Sequence, residues 1–382
     1  MKILVLSYEY PPIGGGGGVI CKNISENLAK LGNDITILTT SIVGRKPQAA
    51  SHQPKIIRLN ARRKIAFESN PLEMLSWISS TKKFISDNPG FMDFDICMAH
   101  FVLPGGEVAR WLKKKYGLPY VLISHGHEIP WVHPRQMFLF HLTVYFWIKN
   151  VCKHSYANCI QTQMMKSNID RFLGRKYHEK NIIIPNGADT RSFYPDYSKR
   201  PDKLRIIFVG RLVIQKDPMT FLKAIRLFSD HSHDFEVHIL GNGNMRKRME
   251  GFVQKNKLEG NIRFLGKINS ENMLIEYQSA HLMVAPSINE GMSISSMEAL
   301  RAGVYLIATR ASGFEDMISE NVNGDFIPFR NPVELEERIR RFYKLNLEGG
   351  MSRHDAATES VKISDWREIT LQYQTLLFSF FK

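Results

Sequence analysis

The feature that most constrains this chain is a twofold alternation of short apolar runs with helical stretches. Ile3-Leu4-Val5-Leu6 is apolar at consecutive positions, the mark of a parallel strand buried on both faces. A glycine run, 14–18, follows, then a helical stretch over 19–31 stopped by Gly32, then a second strand over 35–39. The order recurs with strands at 96–99, 120–123 and 159–161 and helices near 107–115 and 137–151. A turn-rich segment, 185–201, breaks the pattern, which then restarts. Strands are expected at 206–209, 236–240, 263–265, 282–285 and 305–308, with helices at 218–229, 246–257, 272–279 and 294–302. Each run predicts a doubly wound α/β sheet, so the expected class is α/β with two Rossmann-like domains facing a cleft. The domains are expected over 1–195 and 196–364. Ligands of such sheets sit beyond the carboxyl ends of the strands, which makes the loops there the candidate site.

The chain of 382 residues is long enough for two domains, and 43% hydrophobic residues exclude a disordered class. Lys+Arg total 51 against 37 Asp+Glu. Residues 1–200 hold 27 of the cations and 14 of the anions, so the excess lies almost wholly in the first half. Such a balance suits polyanions: nucleotides, nucleic acid or an anionic membrane face. Cys21, Cys97, Cys152 and Cys159 match no zinc spacing and read as buried or free thiols of a reducing cytosol. The apolar stretch after Met1 is too short for a signal-peptide core, and no spanning helix is expected.

Five constellations carry candidate chemistry. In the glycine run, Gly15 and Gly16 let a backbone approach a ligand, and the helix that follows offers free N–H groups to an anion or sugar. A dinucleotide reading fits poorly: the third small residue is missing and strand two ends in Thr39-Thr40-Ser41, without the ribose-binding acid. Gly210-Arg211-Leu212 with Lys216 places two cations on one strand-to-helix loop, where they can clamp a diphosphate. Glu290-Gly291-Met292-Ser293 precedes a helix containing Glu298; its N–H groups suit a phosphate and its loop carboxylate suits sugar hydroxyls. His125, in Ser124-His125-Gly126-His127-Glu128, can donate to a substrate hydroxyl. His125, His127 and His133 also invite a metal reading, without a second ligand cluster to support it. The stretch 137–148, flanked by Arg135 and Lys149, is apolar all round and reads as a buried core helix, with an interfacial membrane contact as the alternative.

Taken in order, these motifs resemble the retaining GT-B glycosyltransferases of family 4, the glycogen-synthase-like class. The matching pieces are Tyr10-Pro11-Pro12 with Gly15-Gly16, then His125-Gly126, then Pro185-Asn186-Gly187-Ala188-Asp189. Gly210-Arg211-Leu212 with Lys216-Asp217, Gly241-Asn242-Gly243, and Glu290-Gly291 with Glu298-Ala299 and Gly303 complete the series. The resemblance implies transfer of a hexose from a nucleoside-diphosphate sugar to an acceptor, with retention of configuration. Arg211 and Lys216 would hold the diphosphate, Glu298 the ribose, and Glu290 with Gly291, Met292 and Ser293 the donor sugar. Gly16 would lie opposite the diphosphate, and His125 would contact the transferred sugar. The loops carrying Gly241, Gly243 and Lys267 would be candidates for the nucleotide. The last helix, about 365–378, would cross back onto the first domain.

No cofactor and no metal are expected, since Arg211 and Lys216 take the diphosphate charge. The base stays open, with UDP or GDP expected. The acceptor expected is a lipid-linked or membrane-proximal glycan precursor in polysaccharide biosynthesis. Expected partners are the nucleotide sugar, that acceptor, and an anionic membrane surface met by the basic first domain; nucleic acid is not among them. Candidate cations are Lys113, Lys114 and Lys115, Arg62, Arg63 and Lys64, and Lys82 and Lys83, with Trp111 and Phe67 nearby. The compartment expected is the cytoplasm, with peripheral contact at the inner face of the cell membrane. Rival readings are a nucleotide-sugar epimerase or hydrolase, transfer to a small soluble acceptor, and an inactive sugar-binding subunit.

Overall fold

The computed structural model describes all residues except 43–53, 67–68, 127, 129–137, 346–362 and 382. It divides into two compact units, Met1–Asn186 with Trp366–Lys382, and Gly187–Asp365. The 195/196 boundary expected from the turn-rich segment therefore falls inside the second unit. The reason is packing: Phe193 sits in that unit's core against Tyr277, and Ala188 N donates to Ser364 O at 3.1 Å.

The first unit runs β1 (Lys2–Leu6), α1 (Gly16–Lys30), β2 (Asp34–Ser41), β3 (Lys55–Asn60), α2 (Pro71–Asp87) and β4 (Ile96–His100). It continues with α3 (Glu107–Tyr116), β5 (Tyr120–Ile123), α4 (Phe138–His154), β6 (Ala157–Ile160), α5 (Gln163–Leu173) and β7 (Asn181–Ile183). Among the described residues its strands form one sheet, ordered β3-β2-β1-β4-β5-β6-β7, with every pair parallel. The order reverses between β1 and β4, so a crevice opens at their carboxyl ends.

Four of these elements, β3, α2, α5 and β7, were not expected from the alternation. Helix α2 carries local start signals all the same. Asn70 accepts from Glu73 N, the Glu73 carboxylate accepts from Asn70 N at 3.2 Å, and Pro71 opens the first turn. Helix α4 is not buried all round. Ile148, Val151 and Cys152 are fully buried, but Leu142 is 64% and Phe146 81% exposed, because only one side of the helix meets the core. Met137 and Arg135 lie outside the described residues.

The second unit runs β8 (Leu204–Val209), α6 (Pro218–Phe228), β9 (Phe235–Leu240), α7 (Arg246–Lys255), β10 (Ile262–Gly266) and α8 (Ser270–Ser279). Then come β11 (Leu282–Ala285), α9 (Ile294–Arg301), β12 (Tyr305–Thr309), α10 (Ser312–Glu315), β13 (Gly324–Ile327) and α11 (Pro332–Tyr343). Its sheet, ordered β10-β9-β8-β11-β12-β13, is again parallel throughout. This is the dinucleotide-fold order, with its reversal between β8 and β11. The final helix, α12 (Trp366–Ser379), returns to the first unit and packs on α1.

Candidate active site

At the reversal point of the second unit, two loops meet. The first leaves β8 through Gly210, whose φ of 145° suits glycine alone, and turns over Arg211, Leu212 and a short 3-10 segment, Ile214–Lys216. Leu212 is fully buried and anchors the loop, while Arg211 is exposed and makes no side-chain hydrogen bond or ion pair among the described residues. Asp217, at φ 44°, caps α6 by accepting from Thr220 N and, at 2.7 Å, from Thr220 Oγ1.

The loop after β9 supports the first. Gly210 N donates to Leu240 O at 2.9 Å, Leu212 N to Asn242 O at 3.0 Å, and Met245 N to Leu212 O at 2.9 Å. A Cβ on Gly241 would lie 1.9 Å from Gly210 O, and one on Gly243 2.3 Å from Leu212 O. These two glycines are thus demanded by the packing of one loop on the other, whatever else they touch. Lys267 is exposed just beyond β10.

The second loop leaves β11. Ile288 N donates to Gln215 O at 2.8 Å, and Gln215 Nε2 to Asn289 O at 3.0 Å. These bonds hold Glu290 beside Lys216, whose Nζ donates to Glu290 Oε2; Ser287 Oγ donates to the same oxygen at 3.2 Å. Ser293 caps α9, and the N–H groups of Gly291 and Ser293 find no acceptor among the described residues. They remain as donors at a helix start, a ready anion site.

A support absent from the sequence reading is Gly313: a Cβ there would meet Gly291 O at 1.4 Å. Its only signal was its place just after a strand end. Glu298, on α9, accepts from Tyr277 OH at 3.2 Å. Burial, with Asp189 nearby, pushes its carboxyl up to about 7.

In the first unit the glycine run divides by function. Gly14 stands at φ 99° against Glu9, and a Cβ on Gly17 would lie 2.4 Å from the Phe101 ring. Gly15 and Gly16 face open space, so nothing in the chain itself demands glycine there. Gly15 N donates to Glu9 Oε2 at 2.8 Å, while the N–H groups of Gly16, Gly17 and Gly18 open α1 as first-turn donors.

His125 follows β5. Its N–H donates to both Glu128 oxygens, at 3.2 and 3.0 Å, and Ser124 Oγ donates to the same carboxylate at 2.9 Å. Burial holds the Glu128 carboxyl above its usual range. Nε2 of His125 lies 3.2 Å from Nδ1 of His100, and its ring packs on Phe101. The metal reading named His127 and His133, which lie outside the described residues. The chain carries one Asp-x-Asp that the sequence reading overlooked, Asp93-Phe94-Asp95. Those carboxylates precede β4, at the edge opposite His100, and accept from Lys2.

The cation clusters fare unevenly. Arg63 is fully buried and donates to the carbonyls of Tyr8, Ile65 and Ala66, so it is a structural residue and not a surface charge. Lys82 pairs with Glu107 and Lys83 with Asp87, at 2.9 and 2.8 Å. Lys113, Lys114 and Lys115 remain exposed, with Lys115 over the Trp111 ring. Phe67 lies outside the described residues. All four cysteines are buried and free.

A doubly wound pair of units with a cationic loop and two carboxylates at one reversal point defines a sugar-nucleotide type of transferase fold. Residues 14–192 match the family model described as Glycosyltransferase Family 4, and residues 190–360 that of Glycosyl transferases group 1. The chain belongs to this glycosyltransferase family. An uncharacterized glycosyltransferase of Methanocaldococcus jannaschii is 27% identical over 349 residues, covering 89% of this chain and 87% of that protein. Among solved structures, sucrose-phosphate synthase of Thermosynechococcus elongatus superposes with a TM-score of 0.84 at 19% identity, covering 100% of this chain and 99% of that one. HepE of Anabaena in complex with UDP-glucose gives 0.78 at 17% identity, covering 99% and 100%.

Proposed function

We propose that this glycosyltransferase moves a hexose from a nucleoside-diphosphate sugar, with UDP or GDP as the carrier, onto an acceptor hydroxyl, with retention and without a divalent metal. The observation that carries the reading is the meeting of the Arg211–Lys216 loop with the Glu290–Ser293 loop at the β8/β11 reversal. Two cations and the free N–H groups of Gly291 and Ser293 suit a diphosphate. The HepE structure holding UDP-glucose supports the choice of ligand class. Glu298 takes the ribose hydroxyls, Glu290 the donor sugar, and His125 the transferred sugar. Lys267, at the β10 end, is proposed for the nucleotide.

The bond between the anomeric carbon and the diphosphate oxygen breaks as the bond to the acceptor oxygen forms on the same face. The acceptor proton passes to the departing diphosphate. Charge develops on the diphosphate oxygen, where preorganised cations and N–H groups act without reorganising. Arg211 and Lys216 take the part a bound divalent cation plays elsewhere. A chelator that abolishes transfer, with manganese restoring it, would overturn the metal-free part.

The acceptor we propose is a lipid-linked glycan precursor at an anionic membrane surface, met through Lys113, Lys114 and Lys115. Among the described residues no helix is long and apolar enough to cross a membrane. The deciding experiment is a thermal-shift screen of nucleotide sugars, followed by assay of nucleoside-diphosphate release with and without acceptor. Stabilisation by no nucleotide sugar would sink the reading. Interconversion of donor sugars without an acceptor would support an epimerase instead.

A further inference from the structure

We infer that Tyr277 is a positioning residue for the nucleoside: its hydroxyl holds the Glu298 carboxylate in the form and plane that accept ribose hydroxyls. The inference rests on the reading in which Glu298 takes the ribose. Tyr277 lies on α8 and Glu298 on α9, and the Tyr277 hydroxyl donates to Glu298 Oε2 at 3.2 Å. The Tyr277 side chain is fully buried. Burial, and then the Glu298 carboxylate, hold its phenol well above the usual value. It therefore keeps its proton and stays a donor at any working pH.

The surroundings hold that hydroxyl in place. The Phe193 ring meets the Tyr277 ring edge-on, with centroids 5.6 Å apart and planes at 68°. Next along α8, Gln278 Nε2 donates to Tyr194 O at 3.1 Å. Phe193 closes a turn in which its N–H donates to Asp189 O at 3.1 Å, while the Asp189 carboxylate accepts from Arg191 N and Ser192 N. The stretch from Asp189 to Tyr194 thus braces the tyrosine behind the carboxylate.

A carboxylate offers about four lone-pair sites on its two oxygens. The tyrosine takes one on Oε2, while Oε1 has no hydrogen-bond partner among the described residues and stays open to water. Roughly three sites remain, enough for neighbouring ribose hydroxyls.

Those sites exist only while the carboxyl is ionised. Burial raises the Glu298 carboxyl, the Tyr277 hydroxyl lowers it and Asp189 raises it, and the balance stands at about 7. The titratable groups acting on it are thus Tyr277 of α8 and Asp189 of the turn before β8. The strands on which α9 packs, β11 and β12, carry no charged side chain. Without the hydroxyl, burial and Asp189 act unopposed. Near neutral pH the carboxyl then goes over to its protonated form and loses acceptor sites.

The test is carbon NMR of the full-length protein labelled at the glutamate carboxyl carbon, the Glu298 signal being assigned by its loss in Glu298→Gln. The wild-type titration midpoint is expected at about 7. Tyr277→Phe keeps the ring against Phe193 and removes the hydroxyl alone, so its midpoint should lie higher. If that variant does not fold, 3-fluorotyrosine at position 277, a stronger donor, should lower the midpoint instead. An unchanged midpoint in the variant measured overturns the inference.

Calorimetry with UDP and with GDP reads the consequence. The affinity of Tyr277→Phe should fall about tenfold at pH 7, the scale of one hydrogen bond to a charged group, and only about twofold at pH 9, where the carboxyl ionises without help. Titration of the nucleotide's own phosphates is common to both proteins and cancels in the ratio. A loss of equal size at both pH values marks a merely structural role and also overturns the inference. Unchanged affinity in Glu298→Gln at pH 8, or binding of neither nucleotide, would sink the reading of Glu298 and leave the hydroxyl–carboxylate pair to the NMR titration. An unchanged midpoint would do the reverse.

Discussion

The ammonium of Lys216 donates to Oε2 of Glu290, a residue 74 positions later in the chain. The cation proposed for the diphosphate and the carboxylate proposed for the sugar thus stabilise one another before any ligand arrives. Both side chains are only 14% exposed. Lys216→Ala would take the ammonium from a mostly buried carboxylate that keeps Ser287 Oγ as a donor, which costs about 1–3 kcal/mol of stability. Arg211 is exposed and without such a partner, so Arg211→Ala should leave the melting temperature unchanged. Each variant should lose about 10²–10³ in turnover, the scale of one preorganised charge contact. Thermal melts and steady-state kinetics on both check this, and near wild-type turnover in both would refute the clamp.

Glu298 and Glu290 should separate by calorimetry. Glu298→Gln is expected to weaken binding of the free nucleoside diphosphate, whereas Glu290→Gln leaves that binding nearly intact and cripples transfer. Equal weakening in both would refute the division of roles.

The Glu298 carboxyl is pushed up to about 7 by burial, from 4.5 when exposed. The native state therefore holds its proton more tightly than the unfolded chain. The resulting stabilisation is complete below 4.5 and is lost as pH rises through about 7. Glu298→Gln should consequently gain stability over the wild type at pH 8, by up to about 3 kcal/mol. Ribose binding needs the carboxylate form, so diphosphate affinity should rise from pH 6 to 8 more steeply in the wild type than in Glu298→Gln. Denaturant titrations at both pH values, with calorimetry beside them, test the two signs together.

Gly16 and Gly241 should respond oppositely to alanine. A Cβ on Gly241 meets the Gly210 carbonyl at 1.9 Å and φ is 133°, so Gly241→Ala should destabilise by about 3 kcal/mol. Gly16 lies in α1 facing open space, and Gly16→Ala should add about 0.5–1 kcal/mol through helix propensity. If a donor approaches there, turnover falls all the same. A stable Gly16→Ala enzyme with wild-type kinetics would remove the glycine run from the site.

Association with an anionic membrane should depend chiefly on the exposed triplet Lys113, Lys114 and Lys115, with the exposed Arg62 and Lys64 as a smaller patch, because Arg63 is buried and Lys82 and Lys83 are paired. Each cation near such a surface contributes roughly 1 kcal/mol. Co-sedimentation with vesicles of anionic phospholipid is expected at low salt. It should fall at high salt, as screening shortens to about 10 Å at 0.1 M, and fall again when the three lysines become glutamate. No binding at low salt would point to a small soluble acceptor.

The sequence by itself determined the alternation, because strand and helix periodicity are properties of near neighbours along the chain. The strand Leu282–Ala285 has the bounds its apolar run predicts. Arg211, Lys216, Glu290 and Glu298 were legible as motifs, since short spacings place them at strand ends and helix starts. Burial, by contrast, is decided by whatever packs from elsewhere. The stretch containing Leu142 and Phe146 is apolar all round yet meets the core on one side only, and Arg63, read as a surface cation, is enclosed by backbone carbonyls. The same holds within the site. Gly313 supports Gly291, Lys216 meets Glu290, and His100 meets His125 only because parallel pairing brings separate strand ends together, a juxtaposition that no local spacing encodes.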